Sequence, residues 1–151
     1  MIPKVIVTLR EENFINNCPK YIFGCEEAAP IFINQISDYA VEVISLICIN
    51  TQNELLNFSI VSYGKVNKVS VDYATLLKTI LLSNAKYIII GHNHPSNKLI
   101  PSQSDLDATR NIAKICKLLD VDLIDSIIVT PNKKWISIRS FISSKGVDYS
   151  E

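Results

Sequence analysis

Alternating apolar and polar positions predict strands in this chain, and apolar residues at three- to four-residue spacing predict helices. Over residues 41–49 the alternation gives a strand two faces, one with Val43, Ser45, Ile47 and Ile49 and the other with Glu42, Ile44, Leu46 and Cys48. The predicted helices cover residues 25–38, from Asp72 to about Ser83, and 104–119; the second has Leu76, Leu77, Ile80 and Leu81 as its apolar stripe. The predicted strands cover residues 41–49, 55–62, 86–91, 123–130 and 135–140, with a short strand near 68–71. A turn at 50–53 joins the first two strands.

This order of strands and helices predicts one α/β domain, with a mixed, curved sheet flanked by two or three helices. Pro30 suits the first predicted helix only if it falls in the first turn, where its missing N–H costs nothing. Residues 1–21 form a leader that precedes the domain at 22–151. Its segment 5–9 has β character, so the leader could be an edge strand or a partner-binding arm.

Composition narrows the class of protein. The chain has 151 residues, enough for a core that needs no metal or disulfide, and 48% of them are hydrophobic. Basic and acidic residues number fifteen each, so no overall basic field attracts nucleic acid, and strong nucleic-acid binding is not expected. No signal peptide or apolar stretch of membrane-spanning length is visible, which predicts a cytoplasmic protein that does not enter membranes. Homo-oligomerisation is left open.

The four cysteines form no C-x-x-C pair. Cys48 and Cys116 fall within apolar patterns and are predicted to be small core residues. Cys18 and Cys25 leave a redox or metal pair as a minor alternative.

The chemistry of the chain is concentrated where the apolar run Tyr87–Ile90 ends. Both histidines of the protein, His92 and His94, lie there two residues apart, so on an extended chain they point to the same side at a spacing of about 6.5 Å. Asp105 follows eleven residues after His94. Two imidazoles, one carboxylate and a fourth position left to water describe a catalytic zinc site.

Each of these residues also has a structural interpretation. The histidines could be polar residues at the end of a strand. Ser102 and Asp105 form an S-x-x-D pattern at a predicted helix start, which is close to a capping box and needs no metal. The two interpretations of Ser102 and Asp105 are compatible, because a helix start fixes the direction of its side chains.

A hydrolytic zinc site also needs a base for the bound water. Glu42 is the best candidate, because it is an acid at the start of an otherwise apolar strand. Its alternative is a solvated residue at a strand end. Glu26, Glu27 and Glu54 are weaker candidates, because they fall at a helix start and a hairpin turn, where charge is expected.

The segment from His92 to Asp105 resembles the JAMM (MPN+) metalloprotease signature H-x-H-x7-S-x2-D, and HNHPS with PSQSDLDATR resembles its bacterial RadC-like branch. The resemblance covers roughly residues 22–141. It implies a cytidine-deaminase-like JAB/MPN sandwich, one zinc ion on His92, His94 and Asp105, Glu42 as general base, and Ser102 as a stabiliser of the tetrahedral intermediate. Asn97 and Ser126 depart from the family pattern, which often has Gly and His there.

The function implied by the resemblance is that of a zinc-dependent metallopeptidase or isopeptidase acting on a peptide or protein substrate. Two alternatives stay open: a metal-bearing scaffold with little hydrolytic activity, and an accessory factor associated with DNA repair. The sequence does not identify the substrate.

Overall fold

A five-stranded mixed sheet forms the centre of the computed structural model, which describes residues 1–64 and 69–145. The strands are β1 (Val43–Ile49), β2 (Leu55–Tyr63), β3 (Tyr87–Asn93), β4 (Asp122–Val129) and β5 (Trp135–Ser137), and the helices are α1 (Cys25–Ile36), α2 (Tyr73–Leu82), α3 (Gln103–Leu118) and α4 (Ile138–Ser144). The strand order is β2-β1-β3-β4-β5. Among these five described strands, β3 and β4 pair in parallel with α3 as their crossover, and the other neighbouring pairs are antiparallel.

Helices cover both faces of the sheet. On one face, Phe32 and its neighbours in α1 pack against Ile47 and Ile89. On the other, α2 and α3 contribute Ile80 and Ile112 to a second cluster. The short helix α4 packs Ile138 and Ile142 against Ile128 and the α3 residue Leu106. The predicted α/β sandwich with a mixed sheet is therefore confirmed, with one more helix among the described residues than the two or three expected.

The two predicted faces of β1 are also confirmed. Val43, Ile47 and Ile49 belong to the cluster under α1, whereas Ile44, Leu46 and Cys48 belong to the cluster under α2 and α3. Cys48 and Cys116 are buried core residues, as expected.

The last predicted strand is wrong beyond residue 137. β5 stops at Ser137, whose hydroxyl accepts the Ser140 N–H and so begins α4. The alternation over 135–140 did not reveal this, because a serine cap can start a helix after only three strand residues.

Three smaller expectations also need correction. Pro30 is the sixth residue of α1, beyond its first turn, so one intrahelical hydrogen bond is lost. Leu81 faces solvent with 53% exposure, so the apolar stripe of α2 is narrower than predicted. The short strand near 68–71 lies partly outside the described residues, and residues 69–71 form no strand.

The leader does not form an edge strand over residues 5–9, and side chains 1–14 are all exposed. The first pairing with the domain is an isolated bridge between Tyr21 and Glu54. A role as a partner-binding arm stays a prediction. Within the described ranges, no helix combines the length and apolar character needed to cross a membrane.

Candidate metal centre

Strand pairing brings Glu42 to the two histidines. β1 and β3 are antiparallel with Ile44 opposite His92, and Glu42, just before β1, has its Oε2 3.5 Å from His92 Nε2. Side chains two apart on a strand share a face, so Glu42, His92 and His94 all lie on the face covered by α3. The structure thus joins residues that are about 50 positions apart in the chain.

Glu42, His92 and His94 form a group that could hold a metal ion. Each offers one ligand atom, and these atoms lie within 4.8 Å of one another. His92 is only 6% exposed, and within the described part of the chain its Nε2 makes no hydrogen bond, although Glu42 Oε2 lies 3.5 Å away, at ion-pair distance for a protonated ring. A buried polar atom without a partner is costly, and a bound cation would supply the missing partner.

Asp105 reaches the same place from the first turn of α3. Its Oδ1 lies 3.2 Å from His92 Nδ1, and its Oδ2 lies 3.2 Å from His94 Nε2. Asp105 and Ser102 also form a complete capping box, because Asp105 Oδ2 accepts the Ser102 N–H and Ser102 Oγ accepts the Asp105 N–H. The cap and the contacts with the histidines therefore occur together.

His94 has a defined tautomer. Its Nδ1 lies 2.8 Å from the Lys98 carbonyl, which can only accept, so Nδ1 carries the hydrogen. In the neutral ring Nε2 then presents a lone pair to Asp105 Oδ2, and two acceptors face each other at 3.2 Å. This spacing is close to the ~3.3–3.4 Å edge of a tetrahedron with bonds of ~2.0–2.1 Å, as around zinc. The donor set thus fits a divalent metal ion.

The electrostatics of the centre point the same way. Burial lowers the pKa of His92, but the Asp105 and Glu42 carboxylates outweigh it and raise that pKa from 6.5 to about 9. Burial raises the pKa of Asp105, but hydrogen bonds with His92 and His94 prevail and hold it well below its usual range. A proton on His92 and a bound cation would balance the same carboxylates, so metal binding and protonation compete.

An open cleft of about 400 Å³ gives access to the centre. Its lining includes Glu42, His94, Lys98, Ser102 and Asp105. Behind His92 a small cavity of about 30 Å³ is lined in part by the buried Ser126, at the position where the RadC-like pattern often has His.

The five predicted site residues thus meet at one end of the sheet: Glu42, His92, His94, Ser102 and Asp105. The assignment of Asp105 as the carboxylate ligand and Glu42 as the base stays a prediction, since both carboxylates lie near the rings. Sequence reasoning missed the Lys98 carbonyl and the buried Asn93. The position of Asn93 between two predicted ligands was the available signal.

Cys18 and Cys25 are both free cysteines. The Cys25 thiol donates a hydrogen bond to Asp125 at 2.9 Å, which gives it a partner outside the candidate metal centre.

Comparison with known proteins agrees with this architecture. The family model described as the RadC-like JAB domain matches residues 22–144. A UPF0758 protein of Finegoldia magna is 33% identical over 107 residues, which cover 71% of this chain and 48% of that protein. A UPF0758 protein of Fusobacterium nucleatum is 37% identical over 99 residues, covering 66% of this chain and 43% of that protein.

The family-model match over residues 22–144 therefore includes the whole candidate metal centre, from Glu42 to Asp105. The chain spans about half the length, or less, of the curated relatives it matches. On the extent of the family match and the identity to these relatives, the chain belongs to the RadC-like JAB domain family.

Proposed function

We propose that this domain is a zinc-dependent hydrolase of the JAMM type that cleaves an amide or isopeptide bond in a peptide or protein. The observation that carries the proposal is the convergence of two carboxylates on the two buried histidines: Asp105 oxygens lie 3.2 Å from both rings, and Glu42 Oε2 lies 3.5 Å from His92 Nε2. Two imidazoles and a carboxylate beside an open cleft are the donor set of catalytic zinc sites.

In this proposal His92, His94 and Asp105 hold the ion. Bound zinc would supply a Lewis acid and lower the pKa of its water toward ~7. The Lys98 carbonyl holds the ring of His94, and the Ser102 N–H donates to Asp105 Oδ2, so both side chains are oriented before any ion binds.

Glu42 acts as the general base and acid. Its side chain is largely buried, at 14% exposure, and lines the cleft. It takes the proton of the attacking water and returns it to the leaving amine. Ser102 Oγ accepts the Asp105 N–H but keeps its own hydrogen, which it donates to the oxyanion that forms on the substrate.

The first test is metal content after purification without added metal. About one zinc per chain is expected in the wild type and none in His92→Ala, because removal of one imidazole leaves an incomplete site. If the wild type holds no transition metal even after zinc is offered, the zinc-hydrolase proposal is wrong.

The second test addresses Glu42. We expect Glu42→Gln, loaded at a saturating zinc concentration, to lose at least ~100-fold in turnover of a peptide or isopeptide that the wild type cleaves, because the base is gone. Unchanged turnover with zinc retained would contradict the mechanism. A zinc-loaded wild type that cleaves no such substrate would favour the scaffold alternative.

A further inference from the structure

Asn93 lies between the two histidines, but its side chain forms hydrogen bonds with the backbone at and just before the start of β1. It is fully buried, at 0% exposure. Its Oδ1 accepts the Val43 N–H at 2.7 Å, and its Nδ2 donates to the Val41 carbonyl at 2.9 Å and to the Tyr39 carbonyl at 3.4 Å. The Asn93 amide thus forms hydrogen bonds with the backbone on both sides of Glu42.

The hydrogen bonds of the Asn93 side chain take the place of strand pairing where the pairing of β1 with β3 ends. The pairing of β1 with β3 runs from Ile49 to Ile44 and stops there, one residue short of Val43. On the other side of β1, the Gly64 N–H donates to the Glu42 carbonyl at 2.8 Å. The backbone around Glu42 is therefore held by the Gly64 N–H, just after β2, on one side and by the Asn93 side chain in place of β3 pairing on the other.

Few side chains could replace Asn93 here. The position needs an acceptor for one N–H and a donor for a carbonyl two residues away, within one short, fully buried group. A buried strand position otherwise favours an apolar β-branched residue, such as those that precede Gly91 in β3. The chain instead has an amide between two predicted metal ligands.

We propose that Asn93 is a positioning residue that fixes Glu42 relative to His92 and His94. The end of β3 and the residue that follows it would then supply two metal ligands, and Asn93 between them would position the general base. The proposal rests on the proposed function, because it assigns Asn93 a role through Glu42 at a zinc site. A purely structural role would stabilise the sheet without any coupling to Glu42.

A double-mutant cycle on zinc affinity, measured by competition with a chromogenic chelator, separates the two roles. The four proteins are the wild type, Glu42→Gln, Asn93→Ala and the double variant. We expect each single change to weaken zinc binding ~10-fold and the double change to weaken it ~10-fold as well, because losing the Asn93 hydrogen bonds already removes the effect of Glu42. An additive loss of ~100-fold would overturn the inference.

Ser45→Ala is the matched control. Ser45 Oγ donates to the Gly91 carbonyl at 3.0 Å, so this variant also removes a buried side chain-to-backbone hydrogen bond between β1 and β3, but one that does not flank Glu42. Zinc affinity is expected to stay within about twofold of the wild type, and the Glu42→Gln effect should persist in this background. Coupling of the same size in Ser45→Ala would overturn the inference.

Asn93→Asp repeats the cycle if Asn93→Ala fails to fold. It keeps an acceptor for Val43 and loses the donor to Val41, so partial coupling is expected, and strict additivity would again overturn the inference. A wild type without zinc would contradict the proposed function itself. If the wild type binds zinc and Glu42→Gln binds it with the same affinity, the positioning role of Asn93 is wrong but the proposed function is not contradicted.

Discussion

Asp125 is a buried carboxylate in β4 that accepts the Ser126 N–H of its own strand and has further partners in three other elements. Its Oδ2 accepts the Cys25 thiol at the start of α1 and the Ser137 hydroxyl at the end of β5. Its Oδ1 accepts the Arg139 N–H in the first turn of α4. These bonds compensate for burial of the charge, because a buried carboxylate is tolerated only when its oxygens are hydrogen-bonded.

The same arrangement makes Cys25 a poor nucleophile. Burial, reinforced by the neighbouring Asp125 carboxylate, raises the pKa of the Cys25 thiol from 9.0 to about 12. At pH 8.5 we expect iodoacetamide to alkylate Cys25 at least ~100-fold more slowly in the folded protein than in urea, as followed by peptide mass spectrometry. The rate in the folded protein should keep rising as the pH approaches 12, because the thiolate is the reacting form. A rate that levels off near pH 9 would contradict the assignment.

Gly91 shows how a single residue in β3 decides the packing of α1. A Cβ atom at this position would lie 2.1 Å from Phe32 Cδ1, so the ring lies directly on the glycine backbone. We expect Gly91→Ala to lower the free energy of unfolding by ~1–3 kcal/mol in urea titrations, because the core is already filled. Adding Phe32→Leu should cost less than the sum of the two single changes. Strict additivity would show that the alanine is accommodated without moving the ring.

At the scale of elements, the first turn of α3 combines a helix cap with part of the candidate metal centre. Ser102 and Asp105 satisfy each other's backbone N–H groups, and the same Asp105 carboxylate contacts His92 and His94. Ser102 and Asp105 therefore stabilise the start of α3 and also direct the Asp105 carboxylate toward the histidines.

Two cap variants separate these roles. Ser102→Ala and Asp72→Ala each remove an N-cap, at α3 and α2 respectively. Both should lower the free energy of unfolding by ~1 kcal/mol in urea titrations. Only Ser102→Ala should also reduce zinc-dependent turnover, because Asp72 caps a helix outside the centre. Equal turnover in the two variants would remove Ser102 from the proposed mechanism.

At the scale of the molecule, Cys18 of the leader packs against the core cluster under α1, and among the described residues the leader's backbone hydrogen bonds with the domain begin at Lys20. The Leu55 N–H donates to the Lys20 carbonyl at 2.9 Å, the Ile22 N–H donates to the Asn53 carbonyl at 2.8 Å, and Ile22 is fully buried. The exposed stretch before these contacts includes Ile2, Ile6 and Phe14, each at least 85% exposed. We therefore propose that the independently stable unit begins close to the predicted boundary at 21/22.

Removal of residues 1–14 tests this boundary. The free energy of unfolding should change by less than ~0.5 kcal/mol, because these side chains are exposed in the folded chain. Ile22→Ala is the contrasting variant and should cost ~2–5 kcal/mol, because it opens a cavity beside α1. A large loss of stability on removing residues 1–14 would show that the leader is part of the folded unit.

The sequence by itself determined the features that depend on neighbours along the chain. Period-two alternation separated the two faces of β1, since successive strand side chains point to opposite sides. The H-x-H spacing at the end of an apolar run placed His92 and His94 on one side, and the S-x-x-D spacing placed Asp105 in the first turn of α3. Such patterns are local, so they do not depend on how the strands are ordered.

The tertiary structure alone decided what depends on pairing between distant segments. The register that sets Ile44 opposite His92 brings Glu42 to the histidines, and no local period encodes it. The same holds for the Asn93 hydrogen bonds with residues 39–43 and for the contact of Cys25 with Asp125, a hundred positions away in the chain. Helix α4 belongs to this group too, because Ser137 becomes a cap only where Ile138 and Ile142 can pack on Ile128. Burial against another element, rather than periodicity, selects these arrangements.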